Sequence, residues 1–169
     1  MSDFQNTLPA DLAPVPARPA GTVTRAMVVA EARSWLRTPW QHQARMKGVG
    51  VDCAGLIIGV ARNLGLVPAD ADVTDYARKP DGVSLLRHCR QWMLLIEPRN
   101  ARAGDVIVIR FDVDPQHMAI LGDAPGGGLA MIHALDRPGH KGGEVIEHRY
   151  APFYLPVTMA AFRLPGVVD

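Results

Sequence analysis

The sequence has little cysteine and no excess of either charge. Only 2 of its 169 residues are cysteines, Cys53 and Cys89, which excludes a disulfide framework and a metal-knuckle spacing. Lysine and arginine number 18 against 17 aspartates and glutamates, so no basic nucleic-acid surface is predicted. The longest apolar runs, such as residues 55–61, are too short to cross a bilayer. We therefore expect neither a nucleic-acid partner nor membrane insertion.

The first residues also lack the features of a secretory signal. Residues 1–7 show no positive region followed by an apolar core, so we expect a chain made in the cytoplasm without a cleaved leader. Prolines recur four times between residues 9 and 19, which predicts an extended arm over residues 1–21. The remaining residues, 22–169, have the length and hydrophobic content of a single globular domain.

Hydrophobic spacing predicts helices in the first part of this domain and strands in the second. The predicted helices run from Thr22 or Thr24 to Leu36, from Asp52 to about Gly65, and over residues 83–95. After Gly104 the spacing becomes that of strands, at residues 105–111, 116–121, 129–133, 144–148 and 159–163. Helices followed by an antiparallel meander indicate an α+β fold.

Cys53 stands at the start of the second predicted helix. Unpaired amides and the helix dipole favour an anion there, which predicts a lowered thiol pKa and a backbone amide suited to an oxyanion hole. The carboxylate of Asp52 can cap the same helix. The competing interpretation is a small buried hydrophobe, the commonest fate of a free cysteine. The position of Cys53 at a helix start does not by itself favour either interpretation.

Two histidines, His117 and His133, flank a glycine-rich loop whose centre is residue 125. In a hairpin closing symmetrically on that loop, they face each other on adjacent strands with Cβ atoms about 5 Å apart. One imidazole can then orient the other. With Cys53 they form a nucleophile, a base and an orienting group in the order Cys–His–His. We therefore predict Cys53, His117 and His133 as a catalytic set.

The other candidate ligands and nucleophiles carry weaker signals. A zinc site built from His117, His133 and one of Asp112 or Asp114 is an alternative, but it has no helix-type ligand spacing and leaves the cysteine without a role. Among the remaining histidines, His88 is predicted on the solvent side of the third helix, His140 in an exposed turn, and His148 in a structural or surface role. Cys89 falls on an apolar stripe and is predicted to lie in the core.

Several short motifs occur in a fixed order along the chain. They are Asp52-Cys-Ala-Gly-Leu56, Ala103-Gly-Asp-Val106, His117-Met-Ala-Ile-Leu121 and Met131-Ile-His-Ala134. Longer pieces are residues 35–43, 47–55, 76–82, 115–122, 145–149 and 160–166. Together they resemble the NlpC-type family of cell-wall cysteine peptidases. The resemblance is closer to its phage-tail branch, found in prophages and gene transfer agents, and extends from near residue 26 to the end.

The resemblance implies a papain-like α+β fold, in which a cysteine-bearing helix packs on an antiparallel sheet bearing both histidines. By position, Cys53 matches the nucleophile, His117 the base and His133 the third polar residue. The implied substrate is an amide bond in a peptidoglycan stem peptide, often between D-glutamate and a diamino acid. No cofactor and no metal are expected.

Trp40, His42 and Asp52 are the candidate substrate-binding residues. Many family members have a tyrosine shortly before the catalytic cysteine, whereas Trp40 occupies that segment here and offers an N–H but no hydroxyl. His42 lies in the same loop, where a plain surface role is an alternative.

A tail-borne enzyme would be made in the cytoplasm and carried to the periplasm of a recipient cell, with tail hub or baseplate proteins as partners. The proline-rich arm is a candidate for that docking. Two alternatives stay open: a structural tail component that retains the peptidase fold, and a thiol acyltransferase or amidase acting on another acyl substrate.

Overall fold

The computed structural model describes residues 23–74, 76, 78–79, 81–136 and 142–169. The proline-rich residues 1–21, Thr22 and His140 lie outside the described residues, so the predictions made for them stay predictions. Within the described ranges, no helix combines the length and apolarity needed to cross a membrane.

Three helices form where the hydrophobic spacing predicts them. Helix α1 spans Arg25–Arg33, and the Thr24 hydroxyl caps it by accepting a hydrogen bond from the Met27 amide at 3.3 Å. Helix α2 spans Cys53–Asn63, with Asp52 as its cap. Helix α3 spans Ser84–Trp92. The predicted starts of α1 and α2 are confirmed.

Two predicted helix ends are wrong, because pairing with the sheet overrides helical spacing. Helix α1 stops at Arg33 rather than Leu36, and Arg37, at φ +69°, turns its amide to the Val145 carbonyl at 2.9 Å. Residues 94–96, predicted as the end of α3, form strand β4 (Leu94–Ile96) and pair with a strand near the C-terminus.

The main sheet contains six antiparallel strands in the order β4-β9-β5-β6-β7-β8. Its other strands are β5 (Val106–Arg110), β6 (Pro115–Asp123), β7 (Leu129–Leu135), β8 (Glu144–Arg149) and β9 (Thr158–Arg163). These five match the predicted strands to within two residues at each end, and the α+β class is confirmed.

Several short elements carry no clear signal in the sequence. Strands β1 (Val23–Thr24) and β10 (Val167–Val168) pair in parallel and join the two ends of the domain. Strands β2 (Arg45–Met46) and β3 (Gly50–Val51) form a small hairpin before α2. Short 3₁₀ helices occur at Pro98–Asn100 and Pro152–Val157.

The sheet buries apolar side chains on both faces. Helices α1 and α2 pack on one face, where Leu56 and Val60 meet Val108, Ile120 and Phe162. The other face buries a smaller cluster under Ile96, Tyr150 and Tyr154, formed by Ile107, Ile109, Ala119, Leu121, Met131 and Ala161. The sheet therefore lies between helices α1 and α2 on one face and Tyr150 and Tyr154 on the other.

Strands β6 and β7 separate from each other at one end of the sheet. Their pairing runs from Asp123–Leu129 only as far as Ile120–Ile132. Beyond that point β6 continues to pair with β5 as far as Pro115, and β7 continues with β8 as far as Leu135. Both predicted catalytic histidines lie on these ends, beyond the last pair that β6 and β7 form with each other.

Candidate active site

Cys53 is the first residue of α2 and lies against the separated end of β6. The backbone amides of Met118, Ala54 and Cys53 itself are directed at the thiol and favour its anion. Met118 follows His117 directly, so the sulfur lies beside the strand that carries the predicted base. The structure thus brings the helix N-terminus to the gap between β6 and β7.

The predicted lowering of the Cys53 pKa is wrong. Burial and the negative charge of the neighbouring Asp52 together raise the pKa of the thiol to about 11, and the three amides offset only part of this. Desolvation of the sulfur and the charge of the Asp52 cap oppose the effect of the helix N-terminus and outweigh it. At neutral pH the resting group is therefore a thiol.

Asp52 is buried and its carboxylate is occupied by protein groups. One oxygen accepts from the Gly55 amide at 2.8 Å, which caps the helix, and lies 3.3 Å from the Arg45 guanidinium. The other accepts from the Gln43 amide at 2.6 Å and from the Tyr76 hydroxyl at 2.7 Å. The capping prediction is confirmed, and these contacts make Asp52 an organiser of the cleft wall.

His117 and His133 are in direct contact. Nε2 of His117 lies 2.7 Å from Nδ1 of His133, both rings are buried, and they meet edge to face. Burial lowers the pKa of His117 to about 4, with a smaller contribution from His148 when that ring is protonated. The ring is therefore neutral near pH 7 and able to accept a proton.

The predicted centre of the hairpin that joins these two histidines is wrong by one residue. Asp123 pairs with Leu129, so the hairpin centres on residue 126, and His117 and His133 are diagonal neighbours rather than directly opposed. A shift of the centre by one residue keeps both side chains on the same face of the sheet. The rings still meet because the ends of β6 and β7 separate.

A third histidine, His148 on β8, extends this contact. Its Nε2 lies 2.9 Å from Nε2 of His133, and its Nδ1 lies 3.0 Å from the Arg149 carbonyl oxygen. The ring of Tyr154 packs on its other side, with centroids 5.7 Å apart. The expected structural or surface role for His148 is incomplete, because the residue joins a chain of three imidazoles. Same-face spacing across the β7–β8 hairpin could have indicated it.

Cys53 and His117 line one cleft of about 370 Å³ between α2, α3 and the sheet. Among the described residues, the contacts of the Cys53 sulfur do not include a hydrogen bond to the His117 ring. Phe111 covers His117 from the solvent side, with ring centroids 5.2 Å apart. The resting site is thus a neutral thiol and a neutral imidazole in one partly covered cleft.

The other candidate residues also lie at this cleft. Trp40 lines it, and the Arg78 guanidinium lies 4.9 Å from the centre of its indole. His42 lines it too, with Nδ1 3.7 Å from an Asp52 oxygen and its ring edge-on to Tyr76. His88 borders the same cleft, so its predicted solvent position on α3 is wrong.

Tyr76 supplies a hydroxyl at the cleft that the sequence motifs did not indicate. It donates to Asp52 and accepts from the Arg45 guanidinium at 2.9 Å. Burial and the Asp52 charge raise its pKa far above the usual range, so the hydroxyl keeps its proton. Tyr76, which lies 36 residues after Trp40, therefore provides at the same cleft the hydroxyl that Trp40 lacks.

The three imidazoles are arranged as hydrogen-bonding partners. Their facing nitrogens are 2.7 and 2.9 Å apart, which leaves no room for an ion between them. Among the described residues, no group of three or more metal-binding side chains has an arrangement suited to an ion. Cys89 lies in the core as predicted, 3% exposed, with its sulfur 3.4 Å from that of Met118.

Solved structures similar to this chain include proteins of the NlpC/p60 family. The NlpC/p60 domain of the peptidoglycan hydrolase SagA superposes with a TM-score of 0.55 at 24% identity, over 84% of this chain and 100% of that one. An NlpC/p60 family protein from Bacillus cereus gives 0.53 at 19% identity, over 89% of this chain and 41% of that one.

A Staphylococcus aureus protein described as similar to lipoprotein, of the NLP/P60 family, also gives 0.53, at 16% identity over 99% of this chain and 46% of its own. This chain has the NlpC/p60 fold. That fold is papain-like, as the sequence motifs implied. No protein-family model and no curated protein sequence matches the chain.

Within the NlpC/p60 fold, the gap between β6 and β7 places a helix N-terminus beside a strand-borne histidine. The helix supplies the sulfur and its amides, and the sheet supplies an ordered row of imidazoles. This arrangement suits nucleophilic attack on an acyl carbon.

Proposed function

We propose that the chain is a cysteine peptidase that hydrolyses amide bonds in the stem peptides of peptidoglycan. One observation carries the proposal: Cys53 opens α2 in the same cleft as His117, whose ring is held by His133 at 2.7 Å. The NlpC/p60 fold and the description of SagA as a peptidoglycan hydrolase support the substrate class.

The reaction begins with the Cys53 thiol and the His117 imidazole both neutral. When substrate fills the cleft, Nδ1 of His117 takes the proton of the Cys53 thiol as the sulfur attacks the scissile carbonyl carbon. The backbone amide of Cys53, at the helix N-terminus, is placed to stabilise the resulting oxyanion. The carbon–nitrogen bond then breaks, and the His117 imidazolium gives its proton to the leaving amine.

Water completes the cycle. His117, again neutral, takes a proton from a water molecule that attacks the thioester, and the acid is released as the sulfur regains its proton. Trp40, Tyr76 and His42 border the space where the peptide would lie. Asp52 acts by holding that wall in place.

An acyl-enzyme is the intermediate that tests this proposal. Soluble disaccharide-peptides mixed with the protein and quenched at short times should add the mass of the acyl fragment to the peptide containing Cys53. Cys53→Ala should form no adduct and no product. Cys89→Ala is the matched control, because it removes the other thiol and should leave the adduct unchanged. Product release without any Cys53 adduct, and undiminished by Cys53→Ala, would contradict the proposal.

We also propose that the enzyme is carried in a phage-like tail, with hub or baseplate proteins as partners, and acts in the periplasm of the recipient cell. The resemblance of the ordered motifs to the phage-tail branch is the reason for proposing this setting. Mass spectrometry of purified particles should find the chain among their components, and its consistent absence from them would rule the setting out.

A further inference from the structure

The row of three imidazoles ends on a group that can only accept a hydrogen bond. Nδ1 of His148 lies 3.0 Å from the Arg149 carbonyl oxygen. Because a carbonyl has no proton to give, Nδ1 of His148 must carry the hydrogen. In a neutral imidazole the other nitrogen then has none, so Nε2 of His148 is an acceptor.

This assignment fixes the next two rings in turn. His133 must donate from Nε2 to Nε2 of His148 across 2.9 Å, which leaves its Nδ1 unprotonated. His117 must then donate from Nε2 to Nδ1 of His133 across 2.7 Å, which leaves its own Nδ1 unprotonated. Nδ1 is therefore the basic nitrogen of His117, the state needed to take the Cys53 proton.

Resting on the proposed function, we infer that His148 is a positioning residue that sets the tautomer of the catalytic base through His133. It does so by accepting one hydrogen bond and donating another to the backbone. His148 is not a catalytic residue, because it lies two imidazoles away from the sulfur.

The surroundings of His148 favour this role over simple packing. His133 and His148 lie on the same face of the sheet, since Met131 pairs with His148 and Ile146 with His133. His117 shares that face, because Leu121, four residues further along β6, pairs with Met131. The Tyr154 ring holds the His148 ring at a 32° tilt, and Tyr154 in turn stacks on Tyr150. The ring thus has a defined orientation and two defined hydrogen bonds.

Two variants separate the hydrogen-bonding role from packing. His148→Gln keeps an oxygen that accepts from His133 and an amide N–H that donates to the Arg149 carbonyl. His148→Phe keeps the ring against Tyr154 but has neither group. If His148 sets the tautomer, the Phe variant should lose about tenfold or more in kcat with KM little changed, the effect of about one hydrogen bond. The Gln variant should retain most of kcat.

A direct readout does not depend on activity. In protein with ¹⁵N-labelled histidine at pH 7, long-range proton–nitrogen correlations should show His117 protonated at Nε2 only. In His148→Phe both tautomers of His117 and His133 should appear, and His148→Gln should restore the single one. His117 with a single Nε2–H tautomer in the Phe variant, or a Gln variant slower than Phe, would overturn the inference.

The two proposals fail in distinguishable ways. If wild-type protein cleaves no stem peptide, the proposed function fails, and the nitrogen spectra still decide the tautomer. If wild type is active and Cys53→Ala is not, yet His148→Phe keeps full kcat and one tautomer, only the inference about His148 fails.

Discussion

At the residue scale, the Cys53 thiol and the His117 ring are both shifted toward their neutral forms. Burial raises the pKa of the thiol to about 11 and lowers that of the imidazole to about 4. A resting thiolate–imidazolium pair would require the opposite order of these values. The structure therefore favours general-base catalysis, in which charge develops only as the sulfur attacks.

This neutral pair predicts how alkylation of Cys53 depends on pH. Because the thiolate is the reactive form, the rate with iodoacetamide should rise about tenfold per pH unit from pH 7 to pH 9 without levelling. Site-resolved mass spectrometry separates Cys53 from Cys89, whose pKa is also raised by burial, to about 12. A plateau in Cys53 reactivity reached by pH 7 would contradict the neutral pair.

The sequence predicted that Cys53, His117 and His133 lie close together, whereas it did not predict the electrostatics of Cys53. Cys53 and the two histidines stand out through local helix-start and hairpin patterns. The raised thiol pKa depends on the burial of the sulfur and on the Asp52 charge, and the Tyr76 contact depends on a distant loop. These causes involve groups brought together only by folding.

At the element scale, α2 carries Cys53 and packs closely against Trp35, in the turn that follows α1. Gly59 lies on the face of α2 that meets Trp35, and a Cβ placed there would lie 2.3 Å from the indole. Trp35 is 2% exposed, and its N–H donates to the Glu31 carboxylate at 3.0 Å. The absence of a side chain at Gly59 thus sets how closely α2 approaches the turn that follows α1.

Gly59→Ala should destabilise the protein, although replacing glycine by alanine inside a helix usually stabilises it. Overpacking a filled core typically costs about 1–3 kcal/mol, which outweighs the roughly 0.5–1 kcal/mol gained from helix propensity. Urea unfolding followed by circular dichroism measures the difference. The cost should shrink in a Trp35→Leu background, because the indole carbons are gone. An equal cost in both backgrounds would show that the indole is not responsible.

Helix starts and sheet strands were predictable because each is specified by nearby residues. Caps at Thr24 and Asp52 follow from side-chain chemistry, and the strands follow from their alternation. The early end of α1 and the strand β4 were not predictable, since residues 94–96 depend on a partner, β9, that lies more than 60 residues away. The predicted hairpin centre was wrong because Gly122 and Asp123 pair within β6 instead of lying in the loop.

At the scale of the whole molecule, buried charge and short strands join the ends of the domain. Asp105 is fully buried just before β5 and pairs with Arg25 at 2.8 Å and Arg163 at 3.2 Å. Arg25 also pairs with Asp169 at 2.6 Å, and β1 pairs with β10. These contacts hold α1 and the C-terminus against the sheet on which the histidines lie.

The central claim is that this molecule cuts cell-wall peptide through Cys53. Digestion of purified sacculi, with fragments identified by mass spectrometry, tests it most directly. Wild type and Cys89→Ala should release the same peptide fragments, each with one new amine and one new carboxylate, and Cys53→Ala should release none of them. Identical fragment patterns from wild type and Cys53→Ala would contradict the account.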